Sequence, residues 1–583
     1  MSLIKLSSFV NKILIVFGIL IFFHSNVFSE ESIDIWKKQK KETQQTNEQK
    51  RLEEKSQIDY LKEDKNLGQI EISENGKNTN EDIKLVGLYD PEKNDLSLNM
   101  WNKTDGSIIR ETLKRIEKIK LSSFSETILI NTIFTYSYGP QSNLPKDEFL
   151  KLKVDWLIKN NKTKLMEEFL NTNLNFSGKS KLIKHLVDYY IALADIKGSC
   201  EKVSLINKEI KDNYLDKFRV YCLILNNKNE EAQLNFDLLR EEGRSDNFFN
   251  NNILFLLGIN EKPNKKISDK NLLYFYLSSI TVENFKYEPT EKTDKNIWRY
   301  LTASNLISTD KLEDPKVIAR YEVAAHQGRF DKNKIFEIYL SVPFNIQQLI
   351  NADTVYKSLI GHESRALIYQ KILLSNDLEN KLGLLFLLQD LFRKDKLDNI
   401  FKQYLSDTLK SIETEEIPDE YEKLVEKNII LEKSNELGKI KFDDKILHRS
   451  KVIKIFTEEN PNQDKIKKDF ASILKKISRN KKYFYSIKDI MLLETLSSEG
   501  IKMPKDFDTK TLSKNLTVPS NLRSLVDNEE IGIFMLKLVE IIGSDEIKNL
   551  DPETLYFITN LLNQAKIKKV RNQILNLSLP LRV

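Results

Sequence analysis

The sequence predicts an all-α protein, an α-solenoid of stacked helical hairpins. Three observations point there. Gly (17 of 583 residues) and Pro (13) are scarce, whereas turn-dense β folds need more of both. Apolar residues recur at helical spacing almost throughout from about residue 106. Pairs of short helices with brief connections then follow one another over hundreds of residues, and no pair of this size can bury its apolar face alone. Neighbours stacked along the chain would supply the core.

The elements read in order as follows. Lys5 and Lys12 precede the apolar run Ile13 to Phe23, and Val27-Phe28-Ser29 places small residues at the −3 and −1 positions of a cleavage site. This is the pattern of a secretory signal peptide over 1–29, cut after Ser29. The run falls short of the roughly 20 apolar residues that a spanning helix needs, which favours cleavage over an uncleaved inner-membrane anchor. No Cys follows the run, so lipoprotein processing is not expected. The mature chain is therefore expected in the periplasm. Residues 30–82 are polar and charged and read as a flexible linker. Residues 83–105, IKLVGLYDPEKNDLSLNMW and its flank, read as an extended docking segment. Leu85, Leu88, Leu96, Leu98 and Trp101 are expected to strap it across the first helices of its own domain.

The helical hairpins occupy 106–412, with a C-terminal array over 413–583. Asp314-Pro315 opens a helix, with Pro at the first position where its missing N–H costs nothing. Val317, Ile318, Tyr321, Ala324 and Ala325 form its inner face, Gly328 stops it, and Asp331 caps the next helix, which Val342-Pro343 breaks. Similar pairs are expected at Lys179–Ala194, Gly198 and Glu201–Ile210, and at Tyr214–Leu225 and Glu230–Leu239. Others follow at Ala366–Leu374, Leu378–Phe392 and Leu397–Leu409, and at Ile531–Ile542, Leu555–Leu562 and Val570–Leu577. The polar stretches 257–295 and 413–420 are the candidate divisions.

Composition removes several function classes. The 91 basic and 86 acidic residues nearly balance, which argues against a nucleic-acid binder. The histidines after the leader, His185, His326, His362 and His448, lie far apart, and GHES at 361–364 is not a zinc-protease motif, so no metal site is expected. No phosphate-cradling glycine loop and no G-x-S-x-G elbow is present, so no cofactor and no catalytic residue set is expected. The two cysteines, Cys200 and Cys222, fall on adjacent helices of an exported chain, where a structural disulfide is favoured over free thiols. Lys467, Lys468, Lys475, Lys476, Arg479, Lys481 and Lys482 surround the apolar stripe Phe470, Ile473, Leu474 and Ile477. They read as a solvated helix face, with contact to an anionic surface as the sharper alternative.

In YCLILNNKNEEAQLNFDLL, Ala232 and Phe236 match the small residue and the aromatic of the second tetratricopeptide helix, whereas the Trp, Gly-Tyr and terminal Pro positions do not match. The chain thus resembles a degenerate relative of that hairpin class. GLYDPEKNDLSLNMW, KFRVYCLILNNKNEEAQLNFDLLREEG and the C-terminal hairpin also resemble uncharacterised exported proteins of alphaproteobacteria. That resemblance implies a helical exported protein and carries no active site. The expected function is a scaffold that binds an envelope protein or an extended peptide. The alternatives are an enzyme acting on peptidoglycan and a protein tethered at the membrane surface.

Overall fold

The structure, a computed structural model, describes residues 85–582 apart from 207–210, 308–313, 414–415, 431–437, 459 and 504–508. The expected signal peptide at 1–29 and linker at 30–82 lie outside the described residues. From Leu85 onward the chain forms one compact unit.

The described chain is all-α. It opens with a strap over 85–105 that holds a single 3₁₀ turn, Glu92–Asn94. Eleven helices follow: α1 (Gly106–Ile116), α2 (Ser123–Phe134), α3 (Lys146–Lys159), α4 (Thr163–Thr172), α5 (Lys179–Ala192), α6 (Ile196–Val203), α7 (Asn213–Leu225), α8 (Asn229–Glu241), α9 (Asn247–Leu256), α10 (Leu272–Thr281) and α11 (Lys295–Ala303). A middle group comprises α12 (Pro315–His326), α13 (Lys332–Ser341), α14 (Ile346–Ile350), α15 (Ala352–Val355), α16 (Gly361–Leu374), α17 (Leu378–Lys394), α18 (Asp398–Lys410) and α19 (Asp419–Asn428). The last group is α20 (Lys454–Thr457), α21 (Gln463–Arg479), α22 (Ile487–Ser498), α23 (Thr509–Leu512), α24 (Ser520–Asp527), α25 (Ile531–Ile542), α26 (Pro552–Gln564) and α27 (Lys568–Ser578). Among the described residues the only strands are two residues long. Ile440–Lys441 pairs antiparallel with Leu581–Arg582.

Local chemistry sets the helix ends. Asp314 accepts from Lys316 N with Pro315 next to it, and Asp331 accepts from Asn333 N. Gly328, at φ +67°, lets the chain leave α12 in the left-handed region that a Cβ disfavours. One break differs from expectation. Gly198 lies inside α6, donating its N–H to Asp195 Oδ1 at 2.9 Å as part of the N-cap. A Cβ there would stand 2.5 Å from Asp195 Oδ2 and 3.1 Å from a Tyr190 ring carbon. Glycine is used here for close packing of α6 on α5, not as a stop.

The buried side chains form two clusters. The first takes in α1–α11 together with the segment from Leu447 to Leu579, and the second runs from Trp298 to Val425. The stretch 257–295 contains α10, whose residues Leu272 to Leu277 are buried in the first cluster, and 413–420 lies within the span of the second, which reaches Val425. Many hairpins do pack on their sequence neighbours, as α5 on α6, α7 on α8 and α16 on α17. The first two helices do not follow that rule, because α25 packs on both α1 and α2.

The strap joins these distant ends. Leu88 N donates to Phe134 O at 2.7 Å, and Asn173 Nδ2 donates to Gly87 O at 2.9 Å, which fixes its start on α2 and α4. Its later part reaches the C-terminal helices. Gly532 N donates to Met100 O at 3.0 Å, Trp101 is fully buried, and Lys569 N donates to Asp95 Oδ2 at 2.6 Å. The segment therefore straps its own domain, and it packs on the last helices as well as the first.

Candidate interaction surface

The middle group carries a groove of about 740 Å³ between the start of α13 and α18. Its floor is apolar. Phe330 and Ile400 are buried, and Phe336 of α13 meets Tyr404 of α18 at 4.8 Å between ring centroids. The rim is polar. Lys332 Nζ donates to Asn399 Oδ1 at 2.9 Å, and Gln403 Nε2 donates to Asp407 Oδ1 at 2.9 Å. Partial burial, with Lys402 near by, holds the Lys332 ammonium below its ordinary pKa. An aromatic floor with amide and charged groups at its edges suits a peptide side chain below and backbone hydrogen bonds above.

A buried charge network fixes the helix that forms one wall. Arg365 of α16 donates from Nε to Glu322 Oε1 at 2.9 Å and from Nη2 to Oε2 at 2.7 Å. Tyr339 OH, one turn beyond Phe336 on α13, also donates to Glu322, and Arg365 Nη1 donates to Asp395. The Arg365 and Glu322 side chains retain 4% and 1% of their exposure. Two charges so dehydrated are tolerable because each engages the other through two hydrogen bonds and further polar partners, Tyr339 and Asp395, share the site. Burial and the Glu322 carboxylate push the Tyr339 hydroxyl well above its ordinary pKa, so it stays a donor. The network locks α12, α13 and α16 together.

The sequence did not single out this groove. Its one readable trace is Glu322, a carboxylate set among the inward residues Tyr321, Ala324 and Ala325 of α12. The residues that it did single out lie elsewhere. Cys200 and Cys222 form a disulfide between α6 and α7, with an S–S distance of 2.08 Å. Lys467, Lys468, Lys475, Lys476 and Arg479 stand exposed along α21, and Lys481 and Lys482 stand exposed just after it. Lys467 lies 3.7 Å from Asp464, while Ile466, Phe470, Ile473, Leu474 and Ile477 face inward. None of these basic residues lines the groove.

Among the described residues no three His, Cys, Asp or Glu side chains gather as a metal site would require. One trio resembles hydrolytic chemistry without its geometry. His448 Nδ1 lies 2.8 Å from Asp489 Oδ1 and 3.3 Å from Ser486 Oγ. A serine triad needs the hydroxyl on the nitrogen opposite the carboxylate. Here both groups meet the same nitrogen, and Ser486 with Asp489 forms the capping box of α22. Burial alone would push the Asp489 carboxyl up, but His448 and the backbone N–H groups of His448 and Ser486 hold it below its ordinary range. The trio secures a helix start.

Comparison with family models, with curated proteins and with solved structures finds no match to this chain.

Proposed function

We propose that this chain is a periplasmic α-solenoid scaffold that holds an extended segment of another envelope protein and performs no chemistry itself. The observation that carries this reading is the aromatic-floored groove between α13 and α18, walled by a helix that the Glu322–Arg365 pair immobilises. A preorganised groove of this kind binds without first ordering itself. The helical hairpins that pack pairwise through α5–α8 and α16–α18 support the repeat architecture, and the leader-like N-terminus with the Cys200–Cys222 bridge supports export. The tie between α25 and the first helices departs from a simple linear stack, because it brings C-terminal and N-terminal helices together.

The test is a photocrosslinking residue placed at Gln403, with the exposed Gln233 on α8 as the control position. The reading expects Gln403 to label one segment of one envelope protein, and expects Asp407→Arg to abolish that label. Equal labelling from both positions overturns it. A purified chain that cleaves peptidoglycan overturns the non-enzymatic part. A chain that keeps Met1 and stays with the cytoplasmic fraction overturns export.

A further inference from the structure

The region from 463 to 484 departs from the charge balance of the chain. It carries eight basic residues against two acidic ones, where the whole sequence holds 91 against 86. The helix α21 sorts these by face. Its apolar stripe is buried, so Lys465, Lys468, Lys475, Lys476 and Arg479 share the opposite, outward side. Of the two acidic residues, Asp464 lies 3.7 Å from Lys467 and Asp469 is half-buried one turn beyond Lys465, so the cations of this region still outnumber them.

The loop that follows extends this face. Lys481 and Lys482 are exposed, and Phe484 is 85% exposed, the highest value among the exposed large apolar residues described. Its presentation is built. Tyr483 and Tyr485 on either side are half-buried, with ring centroids 5.0 Å apart. Tyr483 OH donates to Asp489 Oδ2 at 3.0 Å and accepts from Leu447 N at 3.0 Å. Two anchored tyrosines thus hold the intervening phenylalanine outward. Exposing a large aromatic ring to water is unfavourable, and fixing it there removes the freedom to fold it away.

A row of cations ending in a fixed, protruding aromatic matches the interface of an anionic bilayer. The cations meet lipid phosphates, and the ring enters the boundary between headgroups and acyl chains. We infer that the outward face of α21, with Lys481, Lys482 and Phe484, docks on a bilayer rich in anionic phospholipid. Nucleic acid would also use the cations, but the near balance of 91 basic and 86 acidic residues over the whole chain argues against it. The contact is peripheral, since no helix among the described residues is long and apolar enough to cross a membrane. This surface is separate from the α13–α18 groove, and it stands or falls independently of the scaffold reading.

The test reads position 484 itself, because the apolar run near the N-terminus could bring the full chain to vesicles by another route. Phe484→Cys in the full chain carries an environment-sensitive fluorophore, with the native disulfide left oxidised. Vesicles contain phosphatidylcholine with or without phosphatidylglycerol, and a fraction of lipids spin-labelled in the acyl chain. The expected result is quenching on phosphatidylglycerol vesicles at low salt, and its loss at high salt or on pure phosphatidylcholine. Adding Lys468→Gln, Lys475→Gln and Arg479→Gln together should weaken that signal on the order of a hundredfold, while helicity stays unchanged. Equal quenching on both vesicle types, no quenching at all, or insensitivity to the three substitutions overturns the inference. A probe that responds to polyglutamate and not to vesicles also overturns it, in favour of an acidic protein partner.

Discussion

Arg365 grips Glu322 with two nitrogens inside a core that leaves their side chains 4% and 1% of their exposure. A pair this dehydrated is stabilising only while both members are present. Arg365→Met should destabilise the chain by about 3–5 kcal/mol, because it strands the Glu322 carboxylate. Glu322→Gln combined with Arg365→Met should cost less than the two single substitutions added together. Urea unfolding of the four proteins measures that coupling. Strict additivity would mean that the pair does not act as a unit.

Gly532 is the seat of Trp101. A Cβ at position 532 would lie 2.4 Å from Trp101 Cε3, and the indole has no exposed surface into which to retreat. Gly532→Ala should therefore lower stability by about 1–3 kcal/mol despite its better helix propensity. A thermal melt followed by tryptophan fluorescence reads both the loss and any displacement of the ring.

The Cys200–Cys222 bridge closes a loop with a sequence separation of 22 residues. Its removal should cost on the order of 3 kcal/mol from the entropy returned to the unfolded chain. Cys222→Ser paired with Cys200→Ser, melted beside the oxidised parent, checks this. Equal melting temperatures would show that the link constrains little that is not already ordered.

Asp246 gives a pH signature with a definite sign. Burial alone would push its carboxyl up. Hydrogen bonds from Lys217 Nζ at 2.8 Å and from Tyr274 OH, with the Lys217 charge, bring it to about 2, below its ordinary 3.8. A depressed carboxylate pKa adds stability that is present above the unfolded value and fades as pH falls toward the folded one. Asp246→Asn should flatten the dependence of stability on pH between about 4 and about 2, and should leave its shape near neutrality unchanged. Denaturant midpoints across that window decide it.

Most of the helical order was legible because its signals are local. Asp314, Pro315, Gly328 and Asp331 each act within one turn of themselves, and the structure puts a cap, a first-turn proline, a left-handed exit and a second cap at those four residues. Gly198 misled because a glycine that permits close approach and one that ends a helix look identical in sequence, and the Asp195 cap and the Tyr190 ring packed against it distinguish them. The docking of Trp101 on Gly532 was invisible for the same reason at longer range. The groove was hidden more deeply, since nothing local marks Phe336 or Tyr404, and their shared opening arises only from how α13 and α18 are set. The cationic face of α21 was legible as composition. The outward setting of Phe484 was not, because it depends on Tyr483 reaching Asp489 and Leu447.

The strap imposes a waiting time on folding. Synthesis runs from the N-terminus at about 5–20 residues per second, so Gly532 emerges roughly 20–90 s after Trp101. During that interval α1 and α2 lack α25, the helix that covers them, and the indole has no seat. Contacts that distant in sequence also form slowly once both partners exist. A nascent chain stalled before α25 should thus bind hydrophobic dyes and holding chaperones strongly, and the last fifty residues should extinguish both signals together. The C-terminal helices act in this sense as a timed release from chaperone custody, and a truncation there would be detected first at the opposite end of the chain.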